Sequence, residues 1–286
     1  MKIVKGTSLA MEIKESLKEK IALSSLQFHR SPSLALILVG SDEQSKRYVQ
    51  KKVAACEEVG IVPRLFSLPE TTSQQELLNL VTSLNDDTAT DGILVQLPLP
   101  PHIDKNLIIN SIDSQKDVDG LHPFNIGKLT SGQEAIIPCT PKGVLSLLRS
   151  LHISLKGKNV VVIGRSDLVG KPMAQLLLRE NASVTICHSH TSNLETFTRN
   201  ADILISAVGQ SNLILPHMLK KDVVVIDVGI STCNGRLVGD VFHPERLSEL
   251  EEVVSIITAV PGGIGPITVA ALLENTFEIY NKRLSI

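Results

Sequence analysis

The sequence predicts a two-domain α/β protein built on parallel sheets, and three observations carry that prediction. Short apolar, β-branched runs alternate with helical stretches in both halves of the chain. The 286 residues exceed the usual size of one domain. Between the two alternations, from Leu99 to Pro141, the chain is rich in Pro, Gly, Asp and Asn, as a domain junction is. The boundary falls there. Residues 1–139 are expected to form the first domain and 140–286 the second, with the last helix, 266–286, packing back on the first.

The elements follow in order. Thr7 or Ser8 caps a first helix, in which Leu9, Ile13, Leu17 and Ile21 recur on one face. Ser33 to Val39, roughly Val62 to Leu68, and Gly92 to Leu97 read as buried strands, with helices near Gln44 to Val59 and Ser73 to Leu84 between them. The stretch from Leu99 to Pro141 is expected to supply long connecting and site-forming loops rather than regular elements. Thr140 as N-cap and Pro141 at the first helical position then open a helix to about Leu151.

In the second half, Asn159 to Ile163, Ser183 to Cys187, Asp202 to Ser206 and Val223 to Asp227 are strands, and Val169 to Arg179 is a helix. That is the pattern of a doubly wound half. Asn234-Gly235, flanked by Ile230 and Leu237, is the dipeptide of a type I′ hairpin, and Pro266 opens a last helix to about Lys282.

Composition narrows the function. Hydrophobic residues make up 43% and charged residues 20%, so the chain buries real cores and is not disordered. With 28 basic and 30 acidic side chains the net charge is −2, and no Lys/Arg block marks a nucleic-acid or membrane footprint. A small ligand is the better expectation. Cys56, Cys139, Cys187 and Cys233 make no Cys-x-x-Cys pair, which argues against a zinc ribbon or redox motif and for buried apolar roles. No signal-like leader and no run of 18 apolar residues is present, so a cytoplasmic location is expected.

The strongest motif is Val160-Val-Val-Ile-Gly164-Arg-Ser-Asp-Leu-Val-Gly170, a strand, a tight turn and a helix in succession. Gly164 permits the turn, Ser166 stands where a second glycine is usual, and Gly170 allows close helix packing. Amides at the helix N-terminus then face a pyrophosphate. This makes the second domain a Rossmann-type dinucleotide site, although the spacing departs from G-x-G-x-x-G by one residue. A hydrolase nucleophile elbow is excluded, because Leu168 occupies the last glycine of G-x-S-x-G.

An NAD site commonly carries a carboxylate at the end of the second strand, where this chain reads Cys187-His-Ser-His-Thr191. Nothing there repels a 2′-phosphate, while Arg165 offers a charged fork and Ser189 a hydroxyl. NADP is therefore favoured over NAD. His188 and His190, without acidic or Cys companions, read as polar rim, and no metal site is expected.

In the first half, Tyr48 and Lys52 lie four residues apart on one helix face. Gln96 follows Gly92-Ile-Leu-Val95 at the carboxyl end of a parallel strand, where open α/β sheets place ligands. Asp119, in Lys116-Asp-Val-Asp-Gly120, comes from the junction and lacks the further ligands of a calcium loop. Tyr-x-x-x-Lys occurs in short-chain dehydrogenases, but there it follows the nucleotide turn within one domain, the reverse of the order here. Pro261-Gly-Gly-Ile-Gly-Pro266 runs into the last helix as a loop whose missing side chains let backbone touch a ligand.

Taken together, Tyr48-Val-Gln-Lys-Lys52, Val95-Gln-Leu-Pro-Leu-Pro100, Lys116-Asp-Val-Asp-Gly120, Ile137-Pro-Cys-Thr-Pro-Lys-Gly143, Gly164-Arg-Ser166 and Pro261-Gly-Gly-Ile-Gly-Pro266 closely resemble the bifunctional methylenetetrahydrofolate dehydrogenase/methenyltetrahydrofolate cyclohydrolase family. The resemblance spans nearly the whole chain. It implies a folate-binding first domain, an NADP-binding second domain, an active site in the cleft between them, and a homodimer. It also implies the reaction sequence of one-carbon metabolism: oxidation of 5,10-methylenetetrahydrofolate, then hydrolysis to 10-formyltetrahydrofolate.

The resemblance further assigns roles. Lys52 is the catalytic side chain of hydrolysis; a general base there must be at least partly neutral at working pH, and Gln96, hydrogen-bonding that amine, helps hold it so. Tyr48 stacks on the folate rings, and Asp119 bonds the pterin's amino-pyrimidine edge. Val95, Leu97 and the segment Pro261, Gly262, Gly263, Ile264 and Gly265 contact substrate. Gly164, Arg165, Ser166, Gly170, Ser189 and Ile230 contact the cofactor, Ile230 by its backbone. Two other readings stay open: an NADP-dependent reductase of another small metabolite, as in shikimate-dehydrogenase-like proteins, and a non-catalytic NADP-binding module.

Overall fold

The computed structural model describes residues 1–233 and 235–284. The chain begins with β1 (Lys2–Val4) and α1 (Thr7–Phe28), then alternates β2 (Ser33–Val39), α2 (Glu43–Val59), β3 (Val62–Leu68), α3 (Gln74–Asp86) and β4 (Gly92–Val95). Next come α4 (Lys105–Ser111), α5 (Pro123–Thr130) and α6 (Cys139–Ser150). A second alternation runs β5 (Asn159–Ile163), α7 (Gly170–Arg179), β6 (Ser183–Cys187), α8 (Leu194–Thr198), β7 (Ile203–Ser206) and β8 (Val223–Asp227). The strands β9 (Ser231–Cys233) and β10 (Arg236–Val238), the helix α9 (Leu247–Glu251), β11 (Val254–Thr258) and α10 (Ile264–Leu284) complete it.

Two compact units result: Met11–Cys139 with the chain from Val269 onward, and Met1–Ala10 with Thr140–Thr268. In the first unit the described sheet is parallel, in the order β3-β2-β4. Its central strand β2 is buried at all seven positions, as a continuous apolar run with both faces covered must be. Val59, Cys56 and Leu36 pack in one core cluster with Leu272, Phe277 and Tyr280 of α10. Ile37, Val81 and Ile93 belong to a second cluster, which includes Ile108 of α4. In the second unit the described sheet is also parallel, in the order β1-β11-β8-β7-β5-β6. The chain leaves β5 for β6 on one side and returns to β7 on the other, so the topology switches at the carboxyl ends of β5 and β7.

Several local expectations are corrected. The junction carries two helices as well as loops. Asp104 caps α4 by accepting from the Asn106 and Leu107 amides, and His122 caps α5, where Pro123 stands at the start. The helix α6 begins at Cys139, so Thr140 lies within its first turn rather than at the N-cap, and its hydroxyl pairs with that of Thr268 (3.2 Å). Strand β4 stops at Val95, ahead of a segment whose prolines have no amide to donate.

Residues 1–10, placed with the first domain by the sequence boundary, lie in the unit of Thr140–Thr268. Three residues carry no periodic signal of their own, and only their long-range partner β11 makes them a strand. Strands β9 and β10 pair antiparallel, with Cys233 opposite Arg236. Asn234 of the expected I′ turn lies outside the described residues.

Cys56, Cys139 and Cys187 are buried, but Cys233 is only half-buried. Burial pushes the Cys56 thiol up to about 12, so it stays protonated and unreactive at neutral pH. Native protein treated with an alkylating reagent should leave Cys56 unmodified in mass-spectrometric mapping until denaturant is added. Rapid native labelling would contradict this packing. Among the described residues, no helix is long and apolar enough to cross a membrane.

Candidate active site

The first cluster is built on α2 and the end of β4. Asp42 caps α2 by accepting from the Ser45 amide, and Gly60 ends it in the left-handed region with φ 89°. Val49, Cys56 and Val59 bury the inner face, which leaves Tyr48 and Lys52 at its margin. Gln96 continues the sheet for one residue, its amide donating to the Ile37 carbonyl (2.8 Å). Its side chain thereby reaches Lys52, whose Nζ donates to Gln96 Oε1 at 3.0 Å, while Gln96 Nε2 donates to the Leu97 carbonyl (2.6 Å). A half-buried amine is thus held by an amide that is itself anchored to backbone. Tyr48 is 38% exposed, with the Lys51 ammonium over its ring, 6.0 Å from the centroid.

Asp119 stands on a rigid platform. Lys116 is buried and donates to the carbonyls of Leu84, Asn85 and Asp87, and its own carbonyl accepts from the Ile93 amide. Asp117 is buried and accepts from the His122 amide and from Asn125 Nδ2. The Val118 carbonyl accepts from Asn275 Nδ2 (2.8 Å). A Cβ on Gly120 would lie 2.7 Å from the Ile136 carbonyl oxygen, so only glycine fits against that strand of backbone. The pinned neighbours leave Asp119 half-buried, lining one small hollow with Val95 and Leu97. The structure therefore joins Lys52 to Gln96 directly and places Asp119 beside the residues flanking Gln96. Pro261–Gly265 belongs to the other unit, where the Gly6 amide donates to the Gly262 carbonyl (2.9 Å) and Ile264 starts α10.

The second cluster is the turn between β5 and α7. Gly164 has φ +111°, which side-chain-bearing residues rarely adopt, and its amide donates to the Cys187 carbonyl (2.9 Å). A Cβ on Gly170 would lie 2.1 Å from the Gly164 carbonyl oxygen, so the helix start packs directly on the turn. Ser166 Oγ accepts from the amides of Val169 (3.2 Å) and Gly170 (3.4 Å). Arg165 and Ser189 are exposed at the carboxyl ends of β5 and β6. His188 and His190 form a local turn in which the His190 amide donates to His188 Nδ1. These features suit a dinucleotide: the glycine cradle admits backbone close to a pyrophosphate, and a free guanidinium and hydroxyl stand ready for an anion.

Sequence reasoning missed a buried carboxylate pair beneath this site. Asp227, ending β8, accepts from the amides of Asp240, Val241 and Phe242. Asp240 accepts from Ser206 Oγ and the amides of Val208 and Gln210. The only sequence signal is an acidic residue closing an apolar strand and another inside Gly239-Asp240-Val241. Burial, reinforced by Asp240, pushes the Asp227 carboxyl up to about 7 against the pull of its amide donors.

A carboxyl held above its ordinary value of 3.8 stabilises the fold when protonated. Its contribution is full below that value and is lost as pH rises to about 7. The melting-temperature difference between native protein and an Asp227→Asn variant should accordingly shrink as pH is raised through that window. A difference independent of pH would contradict the assignment.

A glycine-cradled helix start beside the switch point, in one unit, has the form of a dinucleotide-binding site; the other unit holds a half-buried lysine amine bonded to a backbone-anchored glutamine amide. The chain belongs to the tetrahydrofolate dehydrogenase/cyclohydrolase family: residues 4–119 match the model of its catalytic domain and residues 138–284 that of its NAD(P)-binding domain.

Among its relatives, the bifunctional protein FolD of Sulfurihydrogenibium sp. (strain YO3AOP1) is 49% identical over 286 residues, covering 99% of each chain. The crystal structure of bifunctional FolD, methylenetetrahydrofolate dehydrogenase/cyclohydrolase, from Campylobacter jejuni superposes with a TM-score of 0.95 at 47% identity, covering 99% of both chains. The Trypanosoma brucei methylenetetrahydrofolate dehydrogenase-cyclohydrolase, solved with NADP and an inhibitor, superposes with a TM-score of 0.93 at 37% identity, covering 99% of this chain and 98% of that one.

Proposed function

We propose that this protein oxidises 5,10-methylenetetrahydrofolate with NADP and hydrolyses the resulting 5,10-methenyltetrahydrofolate to 10-formyltetrahydrofolate. The family supports the reaction sequence, and the 3.0 Å bond from Lys52 Nζ to Gln96 Oε1 is the observation that carries the hydrolytic half. In the first step a C–H bond of the methylene bridge breaks and hydrogen leaves with its electron pair, giving a methenyl cation shared by N5 and N10. NADP, when bound, supplies the acceptor for that hydride. Water oxygen then bonds to the methenyl carbon and the bond to N5 breaks. One water proton ends on N5 and one is released, while the formyl group stays on N10.

Lys52 in this reading takes the proton from the attacking water. Gln96 Oε1 engages one N–H of the amine and so aims its remaining valences. Tyr48 stacks on the pterin and Asp119 accepts from its amino-pyrimidine edge, with Val95, Leu97 and Pro261–Gly265 as further substrate contacts. Positioning is the main contribution to hydride transfer. The unit of Met11–Cys139, with the last helix from Val269 onward, is assigned to folate and catalysis, and the unit of Met1–Ala10 and Thr140–Thr268 to the cofactor.

Gly164, Ser166 and Gly170 hold the pyrophosphate, Ile230 meets the cofactor by backbone, and Arg165 and Ser189 bind the 2′-phosphate. A charge-assisted pair of this kind contributes about 1.5–3 kcal/mol. Arg165→Ala should therefore raise the Michaelis constant for NADP about ten- to a hundredfold while leaving that for NAD within about threefold. Equal changes for the two cofactors would remove Arg165 from 2′-phosphate recognition.

A cytoplasmic homodimer completes the reading, and sedimentation equilibrium should return twice the 31.0 kDa chain mass. The hydrolytic half is tested separately. With no cofactor present, the purified protein should accelerate the loss of the methenyl absorbance well above the buffer rate, and decay at the buffer rate would refute it.

A further inference from the structure

We propose that Asp240 is a positioning residue for the dinucleotide, its buried carboxylate setting the wall of the switch-point crevice that faces the glycine turn. The inference rests on the NADP reading above. At the switch point, where Ile163 of β5 pairs with Ser206 of β7, the Gly164 turn lies on one side and the chain after Ser206 on the other. They approach so closely that a Cβ on Gly164 would lie 2.8 Å from the Ala207 carbonyl oxygen.

Asp240 holds the far side from beneath. Its Oδ2 accepts from Ser206 Oγ (2.7 Å) and the Val208 amide (2.9 Å), and its Oδ1 accepts from the Gln210 amide (2.7 Å). The next loop is tied to the same point. The Ser206 carbonyl accepts from the amides of Val228 (2.8 Å) and Gly229 (3.2 Å), and a Cβ on Gly229 would lie 2.1 Å from Asp240 Oδ1.

Asp240 is fully buried, whereas the residues it fixes are open: Val208 is 48% exposed and Ile230, directly after Gly229, is 41% exposed. Apolar side chains left exposed after strand ends, on a backbone pinned by a buried carboxyl group, make a preformed ligand surface rather than a core. Preforming it removes an ordering cost from binding. Asp227, through its bond from the Asp240 amide (3.0 Å) and those from Val241 and Phe242, anchors the segment that delivers Asp240.

Asp240→Asn keeps the shape but turns one accepting oxygen into an NH2 that faces donors. Calorimetric titration with NADP should show the dissociation constant rising about tenfold or more, the cost of leaving such a donor unpaired. The Michaelis constant for NADP should rise more than kcat falls, and cofactor-free methenyl hydrolysis should stay within about twofold of native.

An unchanged dissociation constant overturns the proposal. So does a parallel fall of NADP binding and hydrolysis, which would mark a purely structural role. If Asp240→Asn does not fold, Ser206→Ala decides: it removes one donor, and about a threefold rise in the dissociation constant is expected, with no rise counting against the proposal. Native protein that failed to bind NADP in the same titration would instead overturn the cofactor reading.

Discussion

Replacing Lys52 by alanine should slow methenyl hydrolysis by about a thousandfold, within the range of about 10²–10⁴ expected for a positioned acid–base group. Calorimetric affinity for NADP should stay unchanged, since Gly164, Arg165 and Gly170 lie in the other unit. Dehydrogenation should fall much less, because hydride transfer needs no proton acceptor at Lys52, only a well-placed substrate. Gln96→Ala should act in the same direction more weakly, by removing the acceptor 3.0 Å from Nζ while leaving the amine in place. Hydrolysis of Lys52→Ala at the native rate would take this lysine out of the mechanism and leave the half-buried pair without a role.

The second large effect is expected at Gly170. An added methyl would sit 2.1 Å from the Gly164 carbonyl oxygen, 2.6 Å from its carbonyl carbon and 3.0 Å from Arg165 Cα, all of them backbone atoms. None of these can swing away as a side-chain tip does, so α7 and the turn must separate. Gly170→Ala should therefore weaken NADP binding about a hundredfold or more, by moving the helix N-terminus off the pyrophosphate. Methenyl hydrolysis should persist within a few-fold, Lys52 and Gln96 being in the other unit. Fluorescence titration with NADPH measures the first and the methenyl absorbance the second. Unaltered NADPH affinity would mean that the turn is not the cofactor cradle.

Much of this was legible in the sequence because the elements carry their own signals. Strands β2, β3, β5, β6 and β8 coincide with short apolar or β-branched runs whose ends are marked by polar residues or glycine. The turn at Gly164 announced itself because three constraints, sharp φ, close helix contact and a free helix start, each leave a mark in residue type. Lys52 and Gln96, 44 positions apart, were linked only through the family resemblance; periodicity alone puts them on two unrelated elements.

What escaped depended on distant partners. Strand β1 is three residues that become a strand only against β11, and β11 itself, Val-Ser-Ile-Ile-Thr, went unread among the polar residues near it. Helices α4 and α5 are short, their apolar residues too few for a period, and their existence rests on the caps Asp104 and His122. The Asp227–Asp240 pair was invisible for a similar reason. A buried carboxylate is recognisable by the amides it collects, and those come from residues brought round by the fold.

The most direct measurement is the appearance of the NADPH absorbance band when the purified protein is mixed with 5,10-methylenetetrahydrofolate and NADP. The band should rise with enzyme concentration, reach one NADPH per substrate oxidised, and be accompanied by 10-formyltetrahydrofolate as the product. No enzyme-dependent rise with a chain that is folded and binds both ligands would contradict the account at its centre.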